Sequence, residues 1–134
     1  MICTFIGNRD ASKAINPLLK RTIANLIENN NVDMFYIGNH GGFDYIAKEV
    51  LEELKKIYPI NYYVVLAYIP LKDKGLDYSN SIYLDVLNST PYKYRIIERN
   101  KWMIKKSDFV ITYIRHIGNS REFKEFAEKK EKTL

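Results

Sequence analysis

Three short segments have the residue types needed to bind an anion. Gly7-Asn8-Arg9 follows the apolar run "ICTFI", "GNHGG" (38–42) follows "MFYI", and "RHIGN" (115–119) follows "DFVITYI". Each segment leads into a predicted helix, and the free N–H groups and the dipole at a helix N-terminus favour a negative charge. Together the three segments predict a site for a phosphate-bearing ligand.

The segment 38–42 contains three of the six glycines of the chain, although one glycine can close a strand-to-helix turn. Glycine permits a positive φ and lets another group come close to the backbone. The segment is therefore either a tight turn or a ligand cradle. Neither G-x-G-x-x-G nor G-x-x-x-x-G-K-[ST] is present, so the glycines alone leave both interpretations open.

The sequence has no Cys/His set with the spacing of a zinc site. His40 and His116 have no acidic residue at ligand spacing, and we expect them to make polar loop contacts. We therefore expect neither a metal nor a cofactor. Cys3 lies in an apolar run, where a small buried residue is the more frequent role than a reactive thiol.

Strands and helices alternate along the chain, which indicates an α/β domain with a parallel sheet. The predicted strands are 2–6, 34–37, 62–69 and 108–114. The first predicted helix has a cap at Asp10 or Ser12 and an apolar stripe from Ile15 to Ile27, and the others cover 43–57, 96–107 and 120–130. We predict a single Rossmann-like domain over 1–134, with a mainly parallel sheet of about five strands flanked by helices.

In such a sheet ligands bind at the carboxyl ends of the strands, where all three anion-binding segments are expected to lie. The segment 71–91 is polar and is predicted to be irregular, with the length and composition of a lid. Tyr78 or Tyr83 in this segment is a candidate to close over a base.

Composition limits the range of partners. The net charge is +5, but "KEVLEELKK" and "EFKEFAEKKEKTL" mix both signs at helical spacing, as solvated helix faces do. We therefore do not expect a nucleic-acid partner. The chain lacks an apolar run of roughly 18 residues and the features of a signal peptide, so we expect no membrane contact and a cytoplasmic location.

The succession "FIGNRD", "YIGNHGGFDYIAKEVLEELKKIYP", "VVLAYIP" and "RNKWMIKKSDFVI" resembles the SLOG superfamily of Rossmann-like domains, named for the DprA/Smf and LOG proteins. The resemblance covers nearly the whole chain and is to small stand-alone bacterial members such as the YpsA type. It implies binding of a nucleotide or a nucleotide-derived ligand at the strand ends. Some members of the superfamily are enzymes and others are sensors.

The enzymatic LOG branch cleaves the N-glycosidic bond of nucleoside 5′-monophosphates and carries H-x-R-K-x-x-M, S-D, a strand and P-G-G-x-G-T-x-x-E. Here "IERNKWMIKKSDFVITYIRHIGNSRE" resembles that pattern without a gap. The matching residues are Arg99, Met103, Ser107, Asp108, Gly118 and Glu122. Ile114-Arg115-His116 replaces P-G-G and Asn119 replaces the threonine, so two glycines that admit a phosphate are missing. The resemblance thus favours ligand binding over hydrolysis.

By this resemblance the candidate catalytic residues are Arg99 and Glu122. Glu122 would stabilise positive charge on the sugar or activate water, and Arg99 would hold a phosphate or orient the glutamate. The alternative is that the two residues form a structural ion pair or are simply solvated.

The remaining polar residues at the strand ends have two interpretations each. Arg9 is a phosphate ligand or a solvated turn residue, and Asp44 binds a ribose hydroxyl or only complements the helix dipole. Asn39 and Asn100 are candidates to read a base or ribose edge, and Trp102 is assigned to the core or to a dimer interface. The candidate ligand-binding residues are Gly7, Asn8, Arg9, Gly38, Asn39, His40, Gly41, Gly42, Asp44, Asn100, Arg115, His116, Gly118 and Asn119.

The predicted function is binding of a nucleotide-like small molecule by a sensor or sequestering module. One alternative is a LOG-like phosphoribohydrolase, and another is a protein–protein interaction domain with a vestigial site. A homodimer is expected in each case, because the enzymatic relatives build their sites at or near a dimer interface.

Overall fold

The computed structural model describes residues 1–69, 79–114 and 131–134. Six strands form one sheet in which every neighbouring pair is parallel: β1 Ile2–Gly7, β2 Met34–Ile37, β3 Asn61–Leu66, β4 Ser81–Tyr83, β5 Phe109–Tyr113 and β6 Glu131–Thr133. Three α-helices flank it: α1 Asn16–Asn30, α2 Gly42–Lys55 and α3 Arg95–Lys106. The predicted Rossmann-like α/β fold is confirmed. None of the three helices that the structure describes is long and apolar enough to span a bilayer.

The strand order is β4-β3-β2-β1-β5-β6. The chain moves outward from β1 to β4 on one side, then returns to place β5 and β6 on the other. In register, Cys3 lies beside Phe109 and Gly7 beside Tyr113. The strand order therefore reverses between β1 and β5, and the carboxyl ends of these two strands mark the position where open α/β sheets bind ligands.

The two faces of the sheet bury different side chains, because neighbouring residues of a strand point to opposite sides. Phe5 packs into the larger cluster with residues of α1 and α2, whereas Ile6 packs with Ile104 of α3 and with Val110. Each large apolar side chain buried in this way stabilises the fold by roughly 1.5–3 kcal/mol. Cys3 is fully buried in the larger cluster, as expected for a small apolar filler.

Capping residues in the sequence determine where the first helical segment begins and where α1 ends. The Ser12 hydroxyl accepts a hydrogen bond from the Ala14 N–H at 3.2 Å, so Ser12 rather than Asp10 caps the short 3₁₀ helix Lys13–Ile15 that leads into α1. The helix α1 ends at Asn30 and is capped by Asn31, whose φ of 56° is left-handed and is tolerated by asparagine. These signals are local, which explains why the sequence indicated them.

The prediction of an irregular segment at 71–91 was wrong for its described part. Residues 81–83 form the edge strand β4, and the 3₁₀ helix Asp85–Ser89 buries Leu87 completely. The strand β6 was also missed. Both edge strands have only three residues, too few for a period to be recognised, and β6 is mostly polar, as exposed edges often are. The predicted helix at 120–130 and Tyr78 lie outside the described residues.

Ser107 and Asp108 lie at the amino end of β5, opposite the edge at which a ligand is expected. The Ser107 hydroxyl donates to the Met103 carbonyl at 2.6 Å in a buried bond. Asp108 Oδ2 accepts from the Ile2 N–H at 2.9 Å, and the Asp108 N–H donates to the Ile2 carbonyl at 2.7 Å. Ser107 therefore closes the end of α3 and Asp108 joins the start of β5 to β1, so both have a structural role.

We expect Ser107→Ala to lower the free energy of unfolding by about 1–2 kcal/mol, because it removes the partner of a buried carbonyl. The matched control is Thr22→Ala, which removes a hydroxyl-to-carbonyl bond of the same spacing, to Leu18 at 2.9 Å, on the exposed side of α1. Urea denaturation should show a clearly smaller change for Thr22→Ala. Equal losses in the two variants would contradict the role given to Ser107.

Candidate functional site

A cleft of about 380 Å³ opens at the carboxyl end of β1, where the strand order reverses. Its walls come from the end of β1 and the turn after it, from the segment before α2, and from the first turns of α3. The lining residues are Phe5, Ile6, Gly7, Asn8, Arg9, His40, Asp44, Ile96, Arg99 and Asn100. The predicted turns after β1 and β2 thus meet at one cleft with Arg99 and Asn100 of α3.

Arg99 is the largest fully buried side chain in the described part of the chain, with 1% of its surface exposed. It lies one turn before Met103 on the face of α3 that packs against the sheet. Its Nη1 donates to the Val65 carbonyl at 3.0 Å and to Asn39 Oδ1 at 3.5 Å, and its Nε donates to Asn100 Oδ1 at 2.7 Å. The guanidinium is therefore held in place by three neutral oxygens.

The positive charge of Arg99 has no carboxylate in direct contact among the described residues. None of the ion pairs within residues 1–69, 79–114 and 131–134 involves it, and its second terminal nitrogen, Nη2, donates to no described residue. Burial lowers the pKa of Arg99, which the charge of Asp44 and the Tyr68 phenol oppose. Because arginine stays protonated in proteins, the cleft contains a buried cation with an unused donor.

Asp44 is the acidic residue of the cleft. Its Oδ2 accepts from the His40 N–H at 3.1 Å, which fixes the carboxylate across the start of α2. Burial raises the pKa of Asp44, and Arg99, the His40 N–H and Arg9 partly oppose that rise. Asp44 thus compensates part of the nearby positive charge through space, while Arg9 adds an exposed cation at the mouth of the cleft.

The glycines of the segment 38–42, which we call the glycine joint, are required by close internal approaches. A Cβ on Gly38 would lie 2.6 Å from Asp44 Oδ2 and 2.9 Å from the guanidinium of Arg99. Gly41 has a φ of 94°, and a Cβ there would lie 2.7 Å from the Cα of Arg9. Packing of the joint therefore accounts for these two glycines without a ligand.

Gly42 connects the glycine joint to the turn after β1. Its N–H donates to the Arg9 carbonyl at 2.6 Å, and a Cβ would lie 2.8 Å from that oxygen. One of the first N–H groups of α2, which we expected to face an anion, is thus already bonded within the protein. That N–H group is therefore not available to an anion.

His40 has an unsatisfied ring nitrogen. Its Nδ1 is buried and has no hydrogen-bond partner in the described part of the chain, while the rest of the ring is partly exposed. Burial, with smaller contributions from the charges of Arg99 and Arg9, lowers the pKa of His40 to about 4. His40 is therefore neutral at pH 7 and can present one nitrogen to a ligand.

The structure places the remaining candidates as follows. Asn39 is exposed and, with Gly38 and Gly41, lines a separate cavity of about 330 Å³ that shares Asp44 with the main cleft. Arg115, His116, Gly118, Asn119 and Glu122 lie outside the described residues, so their roles stay predictions. The described residues contain no group of three or more His, Cys, Asp or Glu side chains that could hold a metal ion.

Sequence reasoning missed that Phe5, Ile6 and Ile96 line the cleft. Phe5 and Ile6 end an apolar run that was assigned entirely to the core, and both side chains are indeed buried, on opposite faces of the sheet. Ile96 is half-buried and offers an apolar side chain to the cleft. Two aromatic residues have structural contacts. Tyr83 accepts from Arg95 and donates to Asn88, and Trp102 packs at 5.2 Å from the Tyr36 ring beside the core.

We expect Gly41→Ala to destabilise the fold by about 1–3 kcal/mol or more, because the backbone there lies in a region nearly restricted to glycine and the new Cβ would meet Arg9. The control is Glu49→Ala in α2, which leaves the joint intact. Urea denaturation measures both variants. A Gly41→Ala protein as stable as Glu49→Ala would show that the joint relaxes freely.

We expect acid to destabilise the protein through His40. Between pH 6.5 and about 4 the unfolded chain protonates residue 40 while the folded chain does not, so the free energy of unfolding falls as pH falls. Since the ring is partly exposed and screened, the loss should be about 1–2 kcal/mol. Asp44 acts in the opposite sense, because its pKa is raised on folding.

The measurement is therefore a comparison of wild type with His40→Asn, both of which retain Asp44. Denaturant unfolding at several pH values should show a steeper fall for wild type between pH 6.5 and 4. Parallel curves for the two proteins would mean that His40 titrates normally in the folded state.

The comparisons with known proteins agree with the architecture. No curated protein matches the chain. A family model described as the YspA SLOG family, under the name YpsA, matches residues 1–133, which is nearly the full length. This match confirms the resemblance on which part of the site prediction rested. The chain belongs to the YpsA-type SLOG family.

Proposed function

We propose that the cleft at the carboxyl end of β1 binds a nucleotide or a nucleotide-derived ligand through an anionic group. The observation that carries the proposal is the buried guanidinium of Arg99, which has an unused Nη2 donor and no ion-pair partner among the described residues. A buried charge is costly unless it is paired, so a phosphate at this point would provide the missing counter-charge.

The shape and lining of the cleft fit the rest of such a ligand. Its volume of about 380 Å³ lies in the range of small-molecule sites, roughly 300–1,000 Å³. Arg9 at the mouth would give a second contact to a phosphate, while the half-buried Ile96 offers an apolar contact to a ribose or a base. Asn100 and the neutral His40 supply polar groups that can orient hydroxyls.

Family membership supports the same class of ligand, since SLOG domains are associated with nucleotide-related ligands. The proposed activity is binding, as a sensor or a sequestering module. A LOG-like phosphoribohydrolase stays the alternative, and its candidate carboxylate, Glu122, lies outside the described residues. Release of adenine from AMP, lost in Glu122→Gln, would favour that alternative.

The test is calorimetric titration and thermal shift with AMP, ADP-ribose, adenosine and inorganic phosphate. AMP or ADP-ribose should bind and adenosine should not, because adenosine lacks the phosphate that the arginines would contact. A ligand at 100 times its Kd adds about 2.7 kcal/mol to the free energy of unfolding, which is easily seen. Failure of every nucleotide to bind wild type at millimolar concentration would overturn the proposal.

Arg99→Gln should weaken nucleotide binding about tenfold or more, and Arg9→Ala about three- to tenfold, because a charge-assisted hydrogen bond contributes about 1.5–3 kcal/mol when buried and less when exposed. Glutamine at 99 keeps a donor for the Val65 carbonyl and so preserves the fold. The matched control is Arg21→Ala, an exposed arginine of α1 away from the cleft. Equal nucleotide affinities in all three variants would show that neither Arg9 nor Arg99 contacts the ligand.

A further inference from the structure

Two tyrosines continue the cleft beyond the residues that line it. The ring of Tyr68, just after β3, lies 5.7 Å from the His40 ring in an edge-to-face arrangement. The ring of Tyr92, in the turn before α3, lies 4.4 Å from that of Tyr68 at an interplanar angle of 31°. A row of rings thus runs from His40 in the cleft to the surface of the protein.

Hydrogen bonds hold the backbone of Tyr92 in place. The Tyr68 hydroxyl donates to the Tyr92 carbonyl at 3.2 Å, and the 3₁₀ helix Tyr92–Tyr94 is closed by the bond from the Tyr94 N–H to the Pro91 carbonyl at 2.9 Å. Even so, 73% of Tyr92 is exposed, the largest exposed fraction among the large apolar and aromatic residues that the structure describes. One face of the ring is supported and the other is open.

Tyr68 also connects this row to the anion site. The Tyr68 phenol lies close enough to Arg99 to raise the pKa of the guanidinium. Because His40 lines the cleft together with Arg99, and Tyr68 contacts both His40 and Tyr92, Tyr68 lies between the cleft and the Tyr92 ring. That is the arrangement required by a ligand with a phosphate at one end and an aromatic base at the other.

We propose that Tyr92, supported by Tyr68, is a stacking surface for the nucleobase of the ligand whose phosphate lies at Arg9 and Arg99. The inference rests on the proposed function and adds to it the recognition of the base. Stacking on a tyrosine does not distinguish one base from another, because every base has a π-face. The site would accept several nucleotides and prefer purines, which have the larger stacking area.

The test compares AMP with ribose 5-phosphate, which shares the phosphate and the sugar but lacks the base. Tyr92→Ala should weaken AMP binding about five- to tenfold, within the range measured for base–aromatic stacking, and leave ribose 5-phosphate binding unchanged. Tyr92→Trp should retain AMP affinity. Tyr92 is exposed, so both variants should fold as wild type does. The matched control is Tyr94→Ala, which removes a neighbouring tyrosine, 46% exposed, whose ring lies against Lys93.

The outcomes separate this inference from the function on which it rests. If wild type binds AMP and ribose 5-phosphate equally, or if Tyr92→Ala and Tyr94→Ala weaken AMP equally, the stacking surface is overturned while the anion site stands. If wild type binds neither compound, the proposed function fails and the stacking surface fails with it. Selective loss of AMP in Tyr92→Ala, with rescue by tryptophan, would support the inference.

Discussion

The organisation of this domain at the carboxyl edge of its sheet depends on keeping one guanidinium out of water. Arg99 faces the sheet from α3 at a position where helical periodicity calls for an apolar side chain, and transfer of its charge from solvent is unfavourable. Three neutral oxygens offset part of that cost by accepting hydrogen bonds. The negative charge of Asp44 also favours the charged guanidinium, although the two side chains are not in direct contact. Coulombic attraction at such a site is strong because little water screens it.

The surrounding backbone is arranged around that charge. Gly38 leaves no room for a side chain between Asp44 and Arg99, and Gly41 and Gly42 press against the turn after β1. The turns after β1 and β2 therefore form one packed unit that holds Arg9, His40 and Asp44 around the cleft. A cluster of glycines at a strand end is often taken as evidence for a phosphate cradle, but here their close contacts are with the protein itself.

Sequence patterns predicted the parts of this arrangement that are local. The apolar runs of β1 to β3 and β5 and the stripes of the helices have enough residues for a period to be visible, and Arg99 and Met103 are one helical turn apart. The three-residue strands β4 and β6 are too short for that signal. The position of Ile96 at the cleft depends on how α3 packs across the sheet, which no single stretch of sequence encodes. The contribution of residues 115–122 to the site remains a prediction.

The central place of β1 also determines when the cleft can form during folding. Its neighbour β5 comes more than a hundred residues later, since Ile2 and Asp108 are separated by 106 positions. Contacts of such long sequence separation carry a large loop-closure entropy and slow the folding of parallel sheets. On a ribosome, the β1–β4 half can assemble first, with one edge of β1 unpaired until β5 emerges. The cleft at the carboxyl end of β1 therefore depends on a pairing that cannot form until β5 has been synthesised.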